Sequence, residues 1–137
     1  MDRNLTKSSE ITEIPGSSSI FLGSMVSYSN KFKEKILKVR KKNIKNNGVV
    51  SESVSKEMCE NIKKITNSDT AISVTGLSGP SGGTELTPIG TVFITVNYKN
   101  IFKSKKFNLY PNRKIHRYVS AVTAMNMLRI LINKNIK

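Results

Sequence analysis

The residues best suited to chemistry in this sequence lie in one loop, from Thr75 to Thr91. These seventeen residues, TGLSGPSGGTELTPIGT, contain five glycines and two prolines. Because glycine has no Cβ, successive backbone N–H groups can turn inward and approach a bound anion closely. The candidates for that role are the glycines Gly76, Gly79, Gly82 and Gly83, together with the hydroxyl groups of Thr75, Ser78, Ser81 and Thr84. The loop therefore predicts an anion site, although its composition equally allows a long β–β connection with flexible turns.

The loop differs from the two best-known phosphate-binding sequences. It contains no Gly-Lys-Ser/Thr, as a Walker loop would, and it is followed by a predicted strand where a dinucleotide-binding fold has a helix. A helix dipole is therefore not expected to contribute to this site. We expect a ligand to be held by backbone N–H groups and hydroxyl groups.

The hydrophobic pattern places this loop between two strands of a single domain. Apolar residues predict strands over Thr70–Thr75 and Thr91–Tyr98, with Lys99-Asn100 as a two-residue hairpin turn after the second. The other predicted elements are a helix ending before Pro15, a buried strand over 19–28, a lysine-rich helix over 31–45, a helix from about 51 to 65, a strand over 101–110 near a sheet edge, and a helix over 113–132. This order predicts an α/β fold, a mixed β-sheet with helices packed on it, over residues 1–137, with residues 1–10 as its most divergent part.

Composition limits the function classes. The chain has 137 residues, about one domain, and its apolar runs are far shorter than the roughly 18 residues that span a bilayer. The single cysteine, Cys59, is expected to be a buried structural thiol. The formal charge of +14 comes mostly from lysine, and no aromatic residues are interleaved as a single-strand nucleic-acid platform needs. We expect a cytoplasmic protein with no membrane partner and only weak, nonspecific nucleic-acid binding.

Several ordered motifs together carry a family resemblance. They are Pro15-Gly-Ser-Ser, Phe21-Leu-Gly-Ser-Met-Val-Ser-Tyr-Ser-Asn30 with Lys33, Gly48-Val-Val-Ser51, Val74-Thr-Gly-Leu-Ser-Gly-Pro-Ser-Gly-Gly83 and Pro88-Ile-Gly-Thr-Val-Phe93. In this combination the chain resembles the C-terminal domain of CinA, the nicotinamide-nucleotide amidase family. The resemblance runs from about residue 11 onward. It implies an α/β fold with a mixed sheet and hydrolysis of nicotinamide mononucleotide to nicotinate mononucleotide and ammonia, without a cofactor or metal.

The resemblance also implies roles for individual residues. Tyr28 and Lys33 fall on the family's Tyr-Ser-Asn-x-x-Lys positions, where the lysine is a general base or proton relay. Crowding by Lys31 and Lys35 would lower the pKa of Lys33, which suits a base near neutral pH. The remaining implied site residues, which would line the amide and phosphate site, are Asn30, Thr75, Gly76, Gly79, Gly82, Gly83 and Thr84, with Arg113 as the phosphate clamp and Arg117 as its alternative. Without the family, Tyr28 is an aromatic at a strand end, Lys33 a surface lysine, Arg113 an ordinary first-turn residue and His116 structural.

One family motif is missing from the sequence. The resemblance implies a Glu-Ser-Cys-Thr-Gly-Gly segment whose serine is the nucleophile, yet that serine would align with Met1, and positions 2–5 do not match either. The first strand and the start of the first helix are therefore expected to be missing, and we expect an inactive amidase that still binds a nicotinamide mononucleotide-like small molecule. The alternatives are an active amidase whose true start lies upstream, and a basic nucleic-acid or protein interaction module on an old enzyme scaffold. The family makes a homodimer a reasonable expectation.

Overall fold

The computed structural model describes residues 6–136, with five α-helices and three strands among them. The helices are α1 (Thr6–Thr12), α2 (Asn30–Lys35), α3 (Lys41–Asn47), α4 (Glu52–Thr66) and α5 (Arg113–Asn135), and the strands are β1 (Thr70–Gly76), β2 (Thr91–Tyr98) and β3 (Ile101–Asn108). The predicted α/β class, with helices on a sheet, is confirmed. Of the segment expected to be divergent, residues 6–10 lie in α1, while residues 1–5 lie outside the described residues.

The sheet has the order β1-β2-β3, and both of its pairings are antiparallel. The described residues thus form an antiparallel sheet and not the mixed sheet that the sequence predicts. Lys99 adopts a positive φ of 53° in the predicted turn between β2 and β3, and β3 lies at the sheet edge as its lysines indicated. The Lys99-Asn100 turn therefore forms the predicted hairpin and fixes the pairing of β2 with β3.

The two faces of the sheet have different chemistry. Val92, Ile94 and Val96 of β2 are fully buried on the face that packs against α5, where Ala124 and Leu131 complete the cluster. The opposite face packs against α4. That face carries hydroxyl groups in register across the strands, and they form a buried chain of hydrogen bonds around Ser55 of α4 with Ser73, Thr95 and Ser104.

Helix α4, on the sheet's polar face, begins and ends at capping residues. Ser51 caps α4 by accepting from the Val54 N–H at 3.2 Å, and Asn67 ends the helix in the left-handed conformation. The lysine-rich stretch predicted as one helix is divided into α2 and α3, because Lys38 has a positive φ of 56°. Asn61 of α4 donates to the carbonyl groups of Leu37 and Lys38 and so stabilises this break.

The strand predicted over residues 19–28 is wrong. A short 3-10 helix occupies Ser17–Ser19, and residues 21–28 are irregular, with no ladder partner. Apolar side chains that suggested a buried strand are instead exposed in this segment, namely Ile20, Leu22, Val26 and Tyr28. Apolar content alone cannot supply the neighbouring strand that a buried strand needs.

None of the helices in residues 6–136 is long and apolar enough to cross a bilayer.

Candidate functional site

The glycine loop is a folded connection between two antiparallel strands. At its base, the Leu77 N–H donates to the Thr91 carbonyl at 2.9 Å and the Gly90 N–H donates to the Leu77 carbonyl at 2.8 Å. Further out, Thr84 and Thr87 close a turn through two hydrogen bonds, of 2.9 and 3.0 Å. The hydroxyl group of Thr84 is therefore used within the loop itself. The loop has a defined shape, which flexible turns would not give it.

Close packing explains three of the four glycines that the sequence singled out. A Cβ on Gly79 would lie 2.7 Å from the Ile89 side chain, and one on Gly83 would lie 2.8 Å from it. A Cβ on Gly76, at the end of β1, would lie 3.1 Å from the His116 ring. These glycines let the two sides of the loop and α5 approach one another, whatever the loop binds.

The loop also carries a run of backbone donors with no protein acceptor. Within residues 6–136, the N–H groups of Ser78, Gly79, Ser81, Gly82 and Gly83 make no hydrogen bond. Gly82 and Gly83 are exposed, and Gly82 has a positive φ of 94°. Several unpaired N–H groups on one short segment are the feature that an anion-binding loop requires.

The first turn of α5 lies against this loop. An Arg113 guanidinium nitrogen is 3.5 Å from the Gly79 carbonyl oxygen, a long contact that places the exposed cation beside the loop. His116 reaches both ends of the loop: Nδ1 is 3.0 Å from the Ser78 hydroxyl oxygen, and Nε2 is 3.2 Å from the Gly90 carbonyl oxygen. The fold thus brings Arg113 and the loop together.

His116 is the residue that sequence reasoning undervalued. Its side chain is only 3% exposed, and burial lowers its pKa even though hydrogen bonds with Gly90 and Thr91 act in the opposite direction. The imidazole is therefore neutral near pH 7. A lone histidine in the first turn of a helix gives no sequence signal for this position, because its partners come from the two ends of a distant loop.

Lys33 is a buried lysine and not the surface lysine of the family-free interpretation. Its side chain is 7% exposed, and its Nζ donates to the Ser27 carbonyl at 2.6 Å. The pKa of Lys33 is lowered, as predicted, but the cause is burial and not crowding by Lys31 and Lys35, which are both exposed. A lowered pKa moves this amine toward the range of a general base.

The other two residues of the Tyr-Ser-Asn-x-x-Lys segment are open to solvent. Tyr28 is 85% exposed, and Asn30 is the exposed first residue of α2, which Ser29 caps. Within residues 6–136, no hydrogen bond connects Tyr28, Asn30 or Lys33 to the glycine loop.

Thr75 has a hydroxyl group that is already in use. Its side chain is 6% exposed, and Oγ1 donates to the Val49 carbonyl at 2.8 Å. This bond holds the segment before α4, from the Gly48-Val-Val-Ser51 motif, beside the end of β1. Thr75 thus connects the base of the loop to the segment that leads into α4.

In the described part of the chain, no three histidine, cysteine, aspartate or glutamate side chains lie together in a way that could hold an ion. The candidate site consists of backbone donors, hydroxyl groups and basic side chains.

Comparison with known proteins gives a consistent result across sequence and structure. The CinA C-terminal domain family matches residues 6–132. A CinA-like protein of Fervidobacterium nodosum is 46% identical over 122 residues, which are 89% of this chain and 30% of that protein. A CinA-like protein of Thermotoga maritima is 41% identical over 122 residues, with the same coverage of 89% and 30%. The chain thus spans about a third of the length of these curated relatives.

Solved structures of similar fold come from several bacteria. The competence/damage inducible protein CihA of Agrobacterium tumefaciens has a TM-score of 0.87 at 27% identity, over 92% of this chain and 79% of that one. The competence damage-inducible protein A of Klebsiella pneumoniae has a TM-score of 0.91 at 22% identity, over 97% of this chain and 83% of that one. The second similarity is one of fold alone.

Proposed function

The chain belongs to the CinA C-terminal domain family, and from this premise we propose that it binds a nucleotide monophosphate resembling nicotinamide mononucleotide at the glycine loop and does not hydrolyse its amide. The observation that carries the proposal is the run of unpaired backbone N–H groups between Ser78 and Gly83. The nicotinamide nucleotide itself comes from the family resemblance.

The loop and α5 supply complementary parts of a phosphate site. Backbone N–H groups can each donate to one phosphate oxygen, and the loop places five of them on six residues. The Arg113 guanidinium adds a cation that can donate two parallel hydrogen bonds to the same phosphate. Its present contact with the Gly79 carbonyl is long, at 3.5 Å, and is easily exchanged for a phosphate oxygen.

Amide hydrolysis needs a nucleophile next to a base, and the described residues do not pair the two at Lys33. The Nζ of Lys33 donates to the backbone carbonyl of Ser27, and in residues 6–136 no hydroxyl group lies in hydrogen-bonding contact with it. The family's Glu-Ser-Cys-Thr-Gly-Gly sequence is not found in the 137 residues. The lack of a hydroxyl group in contact with Lys33 in residues 6–136 supports binding without deamidation.

Binding is tested by isothermal titration of the purified chain with nicotinamide mononucleotide and, separately, with nicotinamide riboside, which lacks the phosphate. We expect the nucleotide to bind and the riboside to bind at least tenfold more weakly, because the N–H groups and Arg113 recognise phosphate. Arg113→Ala should weaken nucleotide binding about tenfold, or about 1.4 kcal/mol. Arg129→Ala is the matched control, because Arg129 is exposed on the same helix and bonds only to Asn126 in the described residues. Equal affinity for the two ligands would contradict the proposal.

Hydrolysis is tested by measuring ammonia release from nicotinamide mononucleotide with an excess of the chain. We expect no release above that of buffer. Ammonia release that disappears in Lys33→Ala would show that the chain is an amidase after all. The two experiments are independent, since a chain can bind the nucleotide with or without cleaving it.

The high positive charge supports a second, weaker proposal, nonspecific polyanion binding. Two lysines of β3 lie over aromatic rings. Lys105 is 5.1 Å from the ring centroid of Phe107 on the same strand, and Lys106 is 5.8 Å from that of Phe93 on β2. Aromatic faces covered by the protein's own lysines are poor platforms for stacking bases. We therefore expect DNA and RNA binding to be lost at moderate salt in a fluorescence anisotropy titration. Tight, sequence-dependent binding at that salt would favour the interaction-module alternative.

A further inference from the structure

Ser78 and His116 form a side-chain pair that the nucleotide-binding proposal does not use. Ser78 is half-buried at the start of the glycine loop, and its Oγ is 3.0 Å from Nδ1 of His116. Helix α5 fixes the backbone of His116. The His116 N–H donates to the Asn112 carbonyl, and the His116 carbonyl accepts from the Ser120 hydroxyl. A serine at a loop surface beside a fixed histidine is the arrangement from which nucleophilic serines are made.

The tautomer of His116 follows from its second contact. The Gly90 carbonyl oxygen can only accept, so Nε2, 3.2 Å away, must carry the proton and donate it. Nδ1 is then unprotonated and accepts from the Ser78 hydroxyl. Burial lowers the pKa of the imidazole and keeps it in this neutral form near pH 7. His116 is thus oriented to take the Ser78 proton through Nδ1, while Nε2 donates to the Gly90 carbonyl; the two ring nitrogens exchange the roles that they have in the Ser-His-Asp triad, and a carbonyl takes the role of the carboxylate.

We propose that Ser78 and His116 are the nucleophile and general base of an acyl-transfer site that takes small esters with good leaving groups. Donors for the tetrahedral oxyanion are at hand, because the N–H groups of Ser78 and Gly79 have no acceptor in residues 6–136. The exposed guanidinium of Arg113, beside Gly79, adds positive charge at the same place.

The reaction proceeds in two balanced steps. In the first, Ser78 Oγ attacks the acyl carbon while its proton passes to Nδ1 of His116, and the ester C–O bond breaks as the leaving alkoxide or aryloxide departs with the electron pair and is neutralised by that proton. In the second, water attacks the acyl-serine, gives its proton to His116, and the acid leaves as Ser78 recovers its hydroxyl. No redox partner or cofactor is needed.

The surroundings of His116 restrict the substrate class to activated esters. In the described residues no carboxylate contacts the imidazole, so the imidazolium of the first step is stabilised only by the Gly90 carbonyl and lies near the Arg113 cation. A short-lived imidazolium suits a leaving group that departs readily, such as a phenolate. An amine is a poorer leaving group than a phenolate and must take its proton from that imidazolium within its short lifetime, so the proposed site takes activated esters and not the amide of the nucleotide.

A fluorophosphonate probe tests the pair directly, because it forms an Oγ–P bond with an activated serine as fluoride leaves and the serine proton passes to the base. We expect a single adduct, mapped by mass spectrometry to Ser78, and hydrolysis of p-nitrophenyl acetate that falls at least tenfold in Ser78→Ala. His116→Gln should abolish labelling while circular dichroism shows the folded chain. Ser18→Ala is the matched control, an exposed serine outside the loop, and should label and turn over like the wild type.

Three results would overturn the proposal: no adduct at Ser78, equal labelling of Ser78 and Ser81, or labelling of Ser78 that survives in folded His116→Gln. If His116→Gln does not fold, the role of His116 is tested by the pH dependence of the rate of Ser78 labelling in the wild-type chain. That rate must rise with deprotonation of a single group whose pKa lies below 6.5, and a rate that follows hydroxide alone refutes the role of His116. Nucleotide binding is measured separately and does not depend on any of these outcomes.

Discussion

Replacing Lys33 with methionine should make the protein more stable. Lys33 places an ammonium group in a site that is 7% exposed, with one hydrogen bond to the Ser27 carbonyl and no carboxylate partner in the described residues. Desolvation of a buried ion costs several kcal/mol, and a hydrogen bond from a charged donor returns only about 1.5–3 kcal/mol. Methionine keeps most of the side-chain volume and removes the charge.

The expected gain in the free energy of unfolding is about 1 kcal/mol at pH 7, within the range common for single stabilising substitutions. The gain should also depend on pH. Because burial lowers the pKa of Lys33 in the folded chain below its ordinary value of 10.5, the folded state releases the proton before the unfolded state does. Wild-type stability therefore rises as the pH approaches 10.5, and the advantage of Lys33→Met shrinks over that range.

Urea unfolding followed by circular dichroism at pH 7 and at pH 9.5 measures both effects. Lys35→Met is the matched control, since Lys35 is exposed on the same helix and its removal lowers the net charge equally. The reasoning fails if Lys33→Met is less stable than Lys35→Met at pH 7. It also fails if the difference between the two variants is the same at both pH values.

Three further predictions follow from single side chains. Gly90→Ala should destabilise the fold by about 3 kcal/mol or more, because Gly90 has a φ of 99° and an added Cβ would overlap the Leu109 carbonyl. Gly82→Ala should cost only about 1–2 kcal/mol, because Gly82 has a similar φ of 94° but its Cβ would make only an ordinary contact with the Leu77 side chain at 3.5 Å; urea unfolding compares the two variants. Burial raises the pKa of Cys59 to about 12, so Ellman's reagent should react with it only on unfolding, and rapid reaction in native buffer would contradict this. Burial raises the pKa of Glu57, but hydrogen bonds from Asn43 and Arg40 outweigh burial, so the pKa is lowered overall. Stability should therefore be lost as the pH falls below about 4.5, and Glu57→Gln should remove this loss.

Much of the fold could be predicted because it depends on local patterns. The spacing of Val54 and Met58 on α4, the alternation along β2 and the Lys99-Asn100 turn each indicate their element within a few residues, since helix and strand periods are properties of the local backbone. The edge position of β3 also follows from its lysines. The incorrect strand over 19–28 shows the limit of this reasoning, because a strand requires a neighbour that sequence pattern cannot name.

The sequence by itself also determined the loop, the family and the absence of the family's serine motif from these 137 residues. Only the tertiary structure decided how the loop is held. His116 is near both Ser78 and Gly90 because α5 packs across the sheet, and Lys33 is buried although its neighbours Lys31 and Lys35 are exposed; neither fact has a signature in residue type or spacing. Burial and long-range proximity arise when distant segments pack together, and they set the charge state and the partners of each group.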